Sequence, residues 1–198
     1  PSDSDPRPSF RAVGGATGAP DENIVLGNRI GTDAAGTSAL GQMLADDLDM
    51  PFIELSREIG KFPGCSIREI HDLYGTNAYR RYERRALEEA VQIYQDVVIA
   101  TPGGIVSDPA TFNQLLAHCT TIWLQADPEE HMQRVAAQGD MRPMSASKEA
   151  MDDLRRILAG RAAFYSKADL TLDTGGQTLD QSFQALRAMV REVVGLPG

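Results

Sequence analysis

A glycine-bearing stretch, Gly31-Thr-Asp-Ala-Ala-Gly-Thr-Ser38, stands between the first apolar run, Ile24–Ile30, and the first amphipathic period, Thr37–Leu48. Such an order dictates strand, tight turn and helix, because glycine supplies the backbone freedom a βα turn needs. The spacing is that of G-x-x-x-x-G-K-[ST], in which backbone N–H groups and the positive end of a helix cradle phosphates. Gly31, Ala34, Ala35, Gly36, Thr37 and Ser38 are therefore candidate phosphate or nucleotide contacts, and Ser38 is where such loops offer a hydroxyl to Mg²⁺. Position 37, however, is Thr and not Lys. Thr37 cannot replace a charge on which phosphoryl transfer depends, so a severe loss of transfer is expected even where a nucleotide binds. Taken alone the pattern is weak, since an ordinary βα turn uses the same glycines.

The remainder of the chain alternates short apolar runs with longer helical periods, the signature of a parallel sheet wrapped by helices. The other strand candidates are Phe52–Leu55, Val97–Ala100, Thr121–Gln125 and Leu170–Leu172. Asn28 and Arg29 interrupt the first run with polar groups that need partners, and a distorted strand is expected there. Helices are expected over Ser66–Tyr74, Asn77–Gln95, Asp108–Cys119, Lys148–Ala168 and Thr178–Val194, with a further start at Asp127-Pro128. Asp-Pro at 108–109 and 127–128 pairs an N-cap with a proline at the first helical position. Gly139–Ser147 has no period and reads as a mobile flap over a site.

The 198 residues suffice for one substantial core, and 42% are hydrophobic. Residues 1–22 are rich in Pro, Gly, Ser and charge and read as a flexible linker or tail, with one domain over 23–198. A net charge of −9 argues against a surface that grips nucleic acid. No run reaches the roughly 20 apolar residues of a membrane helix. Cys65 and Cys119 lack metal-ligand spacing and read as free thiols in a reducing compartment, hence the cytoplasm.

Three further groups could carry chemistry. The run Tyr79-Arg-Arg-Tyr-Glu-Arg-Arg85 is either a ligand-facing cation cluster or a solvated face held by pairs such as Arg80 and Arg84 opposed by Glu83. Pro102-Gly103-Gly104 follows the strand at 97–100, where ligands approach the backbone in open α/β sheets. Arg142 in the flap and Arg161 on the next helix extend a possible ring of cations around an anion. His71, His118 and His131 lie in helices without a visible acidic or metal partner and read as solvated or packed.

Together these segments resemble shikimate kinase, from about Ile24 to the final helix. The resemblance is carried by Gly31–Ser38, Phe52-Ile-Glu-Leu-Ser-Arg-Glu-Ile59, Ser66-Ile-Arg-Glu-Ile70, Gly75 through Glu83, Pro102–Val106, Arg142-Pro143 and Arg161, in that order and spacing. It implies a five-stranded parallel sheet with helices on both faces, nucleoside-monophosphate-kinase-like, and a lid closing over ATP and a carboxylated cyclohexene. Arg80 and Arg161 match the family's carboxylate-holding arginines, Gly103 and Gly104 its substrate-binding glycines, and Arg142 its lid arginine near ATP. Three positions depart. Thr37 replaces the loop lysine, Ser56 stands where an aspartate holds ring hydroxyls, and Pro102 replaces the first glycine of a Gly-Gly-Gly turn; Glu54 takes the place of a second acidic residue near the metal. Mg²⁺ and ATP follow only where kinase activity survives.

Arg80–Glu89, His118–Gln125 and Gln138–Pro143 also look like the C-terminal domain of benzoyl-CoA-responsive regulators of bacterial benzoate degradation. This narrower resemblance implies an effector domain without enzymatic activity. It would bind an aromatic acyl-CoA through Ser56, Arg80, Gly103, Gly104 and Arg161, and reach DNA only through a separate N-terminal helix-turn-helix domain. Two readings stand against it: a divergent shikimate kinase transferring phosphate from ATP to shikimate, and a ligand-free dimerisation or structural module.

Overall fold

A computed structural model describes residues 23–28, 34–62, 64, 66–126 and 148–196. The tail at 1–22, Arg29, Ile30, Gly31, Cys65, the helix expected from Asp127, His131 and the flap with Arg142 lie outside the described residues.

The chain runs β1 (Asn23–Asn28), α1 (Ala34–Leu48), β2 (Phe52–Glu54), α2 (Leu55–Lys61), α3 (Ile67–Ile93) and β3 (Val97–Thr101). A 3-10 turn (Ile105–Ser107), α4 (Pro109–His118), β4 (Thr120–Gln125), α5 (Lys148–Tyr165), β5 (Leu170–Asp173) and α6 (Leu179–Val193) follow. Every strand pairing is parallel, and the strand order is β2-β3-β1-β4-β5. β1 sits at the centre and pairs in unbroken register with β3 as far as Gly27 and with β4 as far as Asn28, so within 23–28 the expected distortion is not seen, and Arg29 lies outside the described residues.

β3 is buried along its whole length, which is why Val-Val-Ile-Ala reads as a continuous apolar run and not an alternation. Its side chains still alternate between two cores. Val97 and Ile99 join Leu55, Ile59, Tyr79, Leu87, Phe112 and Trp123 under α2, α3 and α4. Val98 joins Ile24, Leu40, Leu44, Ile122, Leu124, Leu186 and Val190 under α1 and α6. Helices thus cover both faces. Fully burying one such Leu or Ile contributes roughly 1.5–3 kcal/mol, so the two cores supply most of what orients the strands.

Helix starts follow local chemistry. Ser66 with Glu69 and Thr178 with Gln181 form reciprocal capping boxes at α3 and α6. Asp108 accepts from the Thr111 N–H with Pro109 in the first turn of α4. The two helices expected from Ser66 to Gln95 are joined end to end, and Gly75 at φ 77° and ψ 173° breaks the α3 geometry between them. α2 corrects the sequence reading. Leu55 ends no strand but opens a seven-residue helix, too short for its 3.6-residue period to stand out.

Candidate active site

Parallel strands deliver their carboxyl ends to one edge of the sheet, and four described segments meet there. β1 leads toward α1, whose first five residues include Gly36, Thr37 and Ser38. Ala34 and Ala35 open that helix. Thr37 is buried at 3% exposure, whereas Ser38 is half-buried. A threonine at this depth has no reach comparable to a lysine amine and carries no charge.

Beside it, Glu54 at the end of β2 stands opposite Ala100 of β3. Ser56 Oγ donates to Glu54 Oε1 at 2.9 Å, and Arg57 Nε lies 2.9 Å from Oε2 of the same carboxylate.

Beyond β3, Thr101 leads through Pro102 into Gly103-Gly104. A Cβ on Gly104 would lie 3.1 Å from Arg80 Nη2, so the guanidinium rests directly on the glycine backbone. Arg80 Nη1 donates to Glu83 Oε2 at 2.5 Å, its guanidinium lies 5.3 Å from the Tyr79 ring centroid, and the Tyr79 hydroxyl donates to Glu83 Oε1 at 3.2 Å. Glu83 is wholly buried. Burial pushes its carboxyl above the ordinary range despite the hydrogen bonds from Arg80 and Tyr79. The Tyr79 hydroxyl is likewise pushed up, first by burial and then by the Glu83 charge.

This corrects the picture of 79–85 as a solvated face with Arg80 set against Arg84. Arg80 instead forms a part-buried i,i+3 pair with the buried Glu83, while Arg84 leaves the cluster to bind Asp108 Oδ2 at 2.8 Å.

Arg161 arrives from α5. The Tyr165 hydroxyl, one helical turn further on, donates to the Gly103 carbonyl, and its ring stacks on Trp123 at 5.3 Å. Residues four apart share a helix face, so Arg161 flanks the glycine turn. Its Nη1 is buried and has no hydrogen-bond partner among the described residues. A buried guanidinium N–H left unsatisfied costs free energy that an anionic oxygen would recover.

The structure therefore gathers Ser56, Arg80, Gly103, Gly104 and Arg161 along one edge with the start of α1. Gly31 and Arg142 lie outside the described residues. Sequence reasoning missed Glu83 and Tyr165 as the groups that fix Arg80 and the glycine turn. Their signal was spacing alone, i+3 from Arg80 and i+4 from Arg161. His71 is exposed and stacks on Tyr79 at 4.5 Å, and His118 is exposed on α4.

As to a metal, no cluster of three His, Cys, Asp or Glu occurs among the described residues. The half-exposed Ser38 hydroxyl fits a divalent cation carried in by nucleotide phosphates, which needs few protein ligands.

A parallel α/β sheet whose central strand leads toward a helix starting at Ala34, with an arginine-lined glycine edge beside it, is the scaffold of a phosphate-loop small-molecule kinase. The chain belongs to the shikimate kinase family, whose model matches residues 33–191. It is 31% identical over 169 residues to shikimate kinase of Synechococcus sp. (strain RCC307), covering 85% of this chain and 86% of that one. Shikimate kinase of Francisella tularensis subsp. holarctica (strain FTNF002-00 / FTA) is 33% identical over 159 residues, covering 80% and 88%. In fold, the chain is similar to the Bacteroides thetaiotaomicron shikimate kinase (TM-score 0.72, 24% identity, 88% of this chain and 99% of that one). It is also similar to the Acinetobacter baumannii enzyme solved in complex with shikimate (TM-score 0.71, 24% identity, 86% and 94%).

These relatives overturn the expectation of a regulator's effector domain. Matches at 30–33% identity over most of the chain are shikimate kinases, and the narrower resemblance to benzoyl-CoA-responsive regulators finds no support among them. Of the short segments that suggested it, Arg80–Glu89 lies on α3, where Arg80 pairs with Glu83 and Ala86 and Leu87 are buried.

Proposed function

We propose that the protein is a divergent shikimate kinase, transferring the γ-phosphoryl group of ATP to a hydroxyl of shikimate. The observation that carries this reading is the pair of arginines around Gly103-Gly104. Arg80 is pinned by Glu83 and the glycine backbone, and Arg161 keeps a buried N–H without a partner among the described residues. Two preorganised guanidinium groups suit a planar carboxylate, and holding the ring acid there leaves its hydroxyls directed along the edge toward the first turn of α1. That turn receives the phosphates through its N–H groups, and Ser38 is the residue that would meet a nucleotide-bound Mg²⁺, which supplies charge neutralisation when present.

Thr37 and Ser56 set the rate. Without a lysine the β- and γ-phosphates lose a cation, and without a carboxylate at position 56 the ring hydroxyls lose a direct charged acceptor. Turnover well below that of a lysine-bearing relative follows, while carboxylate binding persists.

ADP release coupled to NADH oxidation, with shikimate and ATP-Mg²⁺ at millimolar levels, tests the reading. Slow, shikimate-dependent ADP formation that rises at least tenfold in Thr37→Lys is expected. Shikimate-independent hydrolysis, or no ADP from either protein, would reject it.

A further inference from the structure

The three carbonyls of Pro102-Gly103-Gly104 are satisfied in two different ways. Pro102 O accepts from the Ile105 N–H at 3.1 Å and Gly104 O from the Ser107 N–H at 2.9 Å, both within the turn, whereas the Gly103 carbonyl accepts from the Tyr165 hydroxyl on α5. Tyr165 is buried, and its ring lies on Trp123 of β4 at 5.3 Å with 14° between the planes. Arg161 stands one helical turn earlier on the same helix with its buried Nη1, and Gly104, next to the tied carbonyl, is where the Arg80 guanidinium rests. Tyr165 therefore joins the helix that carries one arginine to the turn that seats the other. A second tie lies just past the end of α5. Asp169 Oδ2 accepts from the Thr121 N–H at 2.8 Å and from the Thr121 hydroxyl at 2.7 Å, and the Asp169 N–H donates back to Thr121 Oγ1 at 3.1 Å. That lock and the Trp123 stack dock the helix on β4 without help from the Tyr165 hydroxyl, which is left to set where the turn lies.

Resting on the kinase reading above, we propose that Tyr165 is a positioning residue that sets the separation of the Arg80 and Arg161 guanidinium groups, and through it the affinity for the acid substrate. A carboxylate gains from two guanidinium groups together only when they stand at a fixed separation, because each charge-assisted hydrogen bond is directional. Long arginine side chains do not keep such a separation by themselves. Arg80 leans on the turn and Arg161 rides on α5, so the bond from the Tyr165 hydroxyl to the Gly103 carbonyl is what holds the two in one frame. Without that hydroxyl the carbonyl loses its donor, the turn shifts relative to α5, and the separation spreads. The effect needs both arginines; once either loses its fork, no separation remains to be set. Because Tyr165 acts through groups that hold the carboxylate, it bears on binding and leaves the phosphoryl-transfer step alone.

Tyr165→Phe tests the role, because it removes one oxygen and keeps the ring on Trp123. By calorimetry its Kd for shikimate is expected to rise about tenfold, the size of one lost hydrogen bond. In the coupled ADP assay KM for shikimate should rise in step while kcat changes by less than about threefold. Arg161→Lys supplies the readout that a merely structural role would not move, since it trades the planar fork for a flexible point charge. Adding Tyr165→Phe to Arg161→Lys should change the already weakened Kd by less than about twofold. Trp123 is the single tryptophan of the chain, so its emission reports on the stack with Tyr165 in the parent and needs no variant to fold. Shikimate should shift that emission saturably, with the calorimetric Kd. Tyr165→Phe binding shikimate as the parent does, a full tenfold loss on top of Arg161→Lys, or Trp123 emission unmoved at saturating shikimate overturns the positioning role and leaves the kinase reading intact. No heat on titrating shikimate into the parent, with no shikimate-dependent ADP from it or from Thr37→Lys, overturns both.

Discussion

The space that a Cβ on Gly104 would fill is occupied by the guanidinium of Arg80, with Nη2 3.1 Å from that point. The glycine is therefore kept for contact, since its backbone is in the ordinary right-handed region at φ −78°. Gly104→Ala should leave the fold intact, because the tip of a long side chain can yield a few tenths of an ångström. It should displace Arg80 from its seat and weaken carboxylate binding about tenfold, or ~1.4 kcal/mol. Shikimate titration by calorimetry beside a thermal melt checks both halves, and an unchanged Kd would contradict the contact.

Glu83 anchors the same arginine from below. Glu83→Ala leaves the Arg80 guanidinium and the Tyr79 hydroxyl without their shared acceptor, and breaking such a buried pair costs about 3–5 kcal/mol. Urea unfolding should show a correspondingly earlier midpoint with an unchanged slope. A loss under 1 kcal/mol would mean that the pair is replaced by water.

Stability should respond to pH with two opposing signs. Glu83 is raised by burial, so the native state keeps a proton that the unfolded chain loses; its contribution is full below about 4.5 and declines as pH rises through the native value. Asp108 is lowered, first by the Thr111 hydroxyl and then by Arg84, against burial. Burial would raise Asp47, but Arg191 and Arg187 outweigh it and the net shift is downward. The two aspartates contribute fully above about 3.8 and lose that contribution as pH falls through their native values. Denaturation midpoints from pH 3 to 8 should fall steeply at the acid end and decline gently above 4.5, and Glu83→Gln should flatten the upper decline.

Cys119 should be inert in the folded protein. Burial, followed by the nearby Asp169 charge, pushes its thiol up to about 12, so almost no thiolate exists at pH 8. Iodoacetamide with peptide mass mapping should leave Cys119 unmodified in buffer and modified in urea. Rapid labelling of the native protein would contradict its burial.

The sequence carried the scaffold well wherever an element was long or capped. Val97–Ala100, the Asp108-Pro109 start and the two halves of α3 all announce themselves through burial period or capping chemistry. The site was legible as a set of positions but not as a set of bonds. Arg80 stood out, yet its partner did not, because Glu83 has neighbours of both signs on a helix and only burial selects which one pairs. Tyr165 could not be found, since its partner is a backbone carbonyl 62 residues away that the sheet topology alone brings near. α2 was hidden by its brevity. The narrower functional resemblance failed for a related reason: among its segments Arg80–Glu89 is a charge-rich helix stretch and His118–Gln125 is largely the buried strand β4, and such stretches serve several scaffolds equally.

The strand order has a mechanical consequence. β1, which leads toward α1, is clamped between two neighbours, whereas β2, which leads into Ser56, is a three-residue edge paired to β3 alone. The two sides of the candidate cleft thus differ in stiffness, and local opening should begin on the Ser56 side. In native-state hydrogen exchange the amides of Ile53 and Ile59 should exchange well before those of Val25 and Leu26, so the cleft yields first on the side where Ser56 stands.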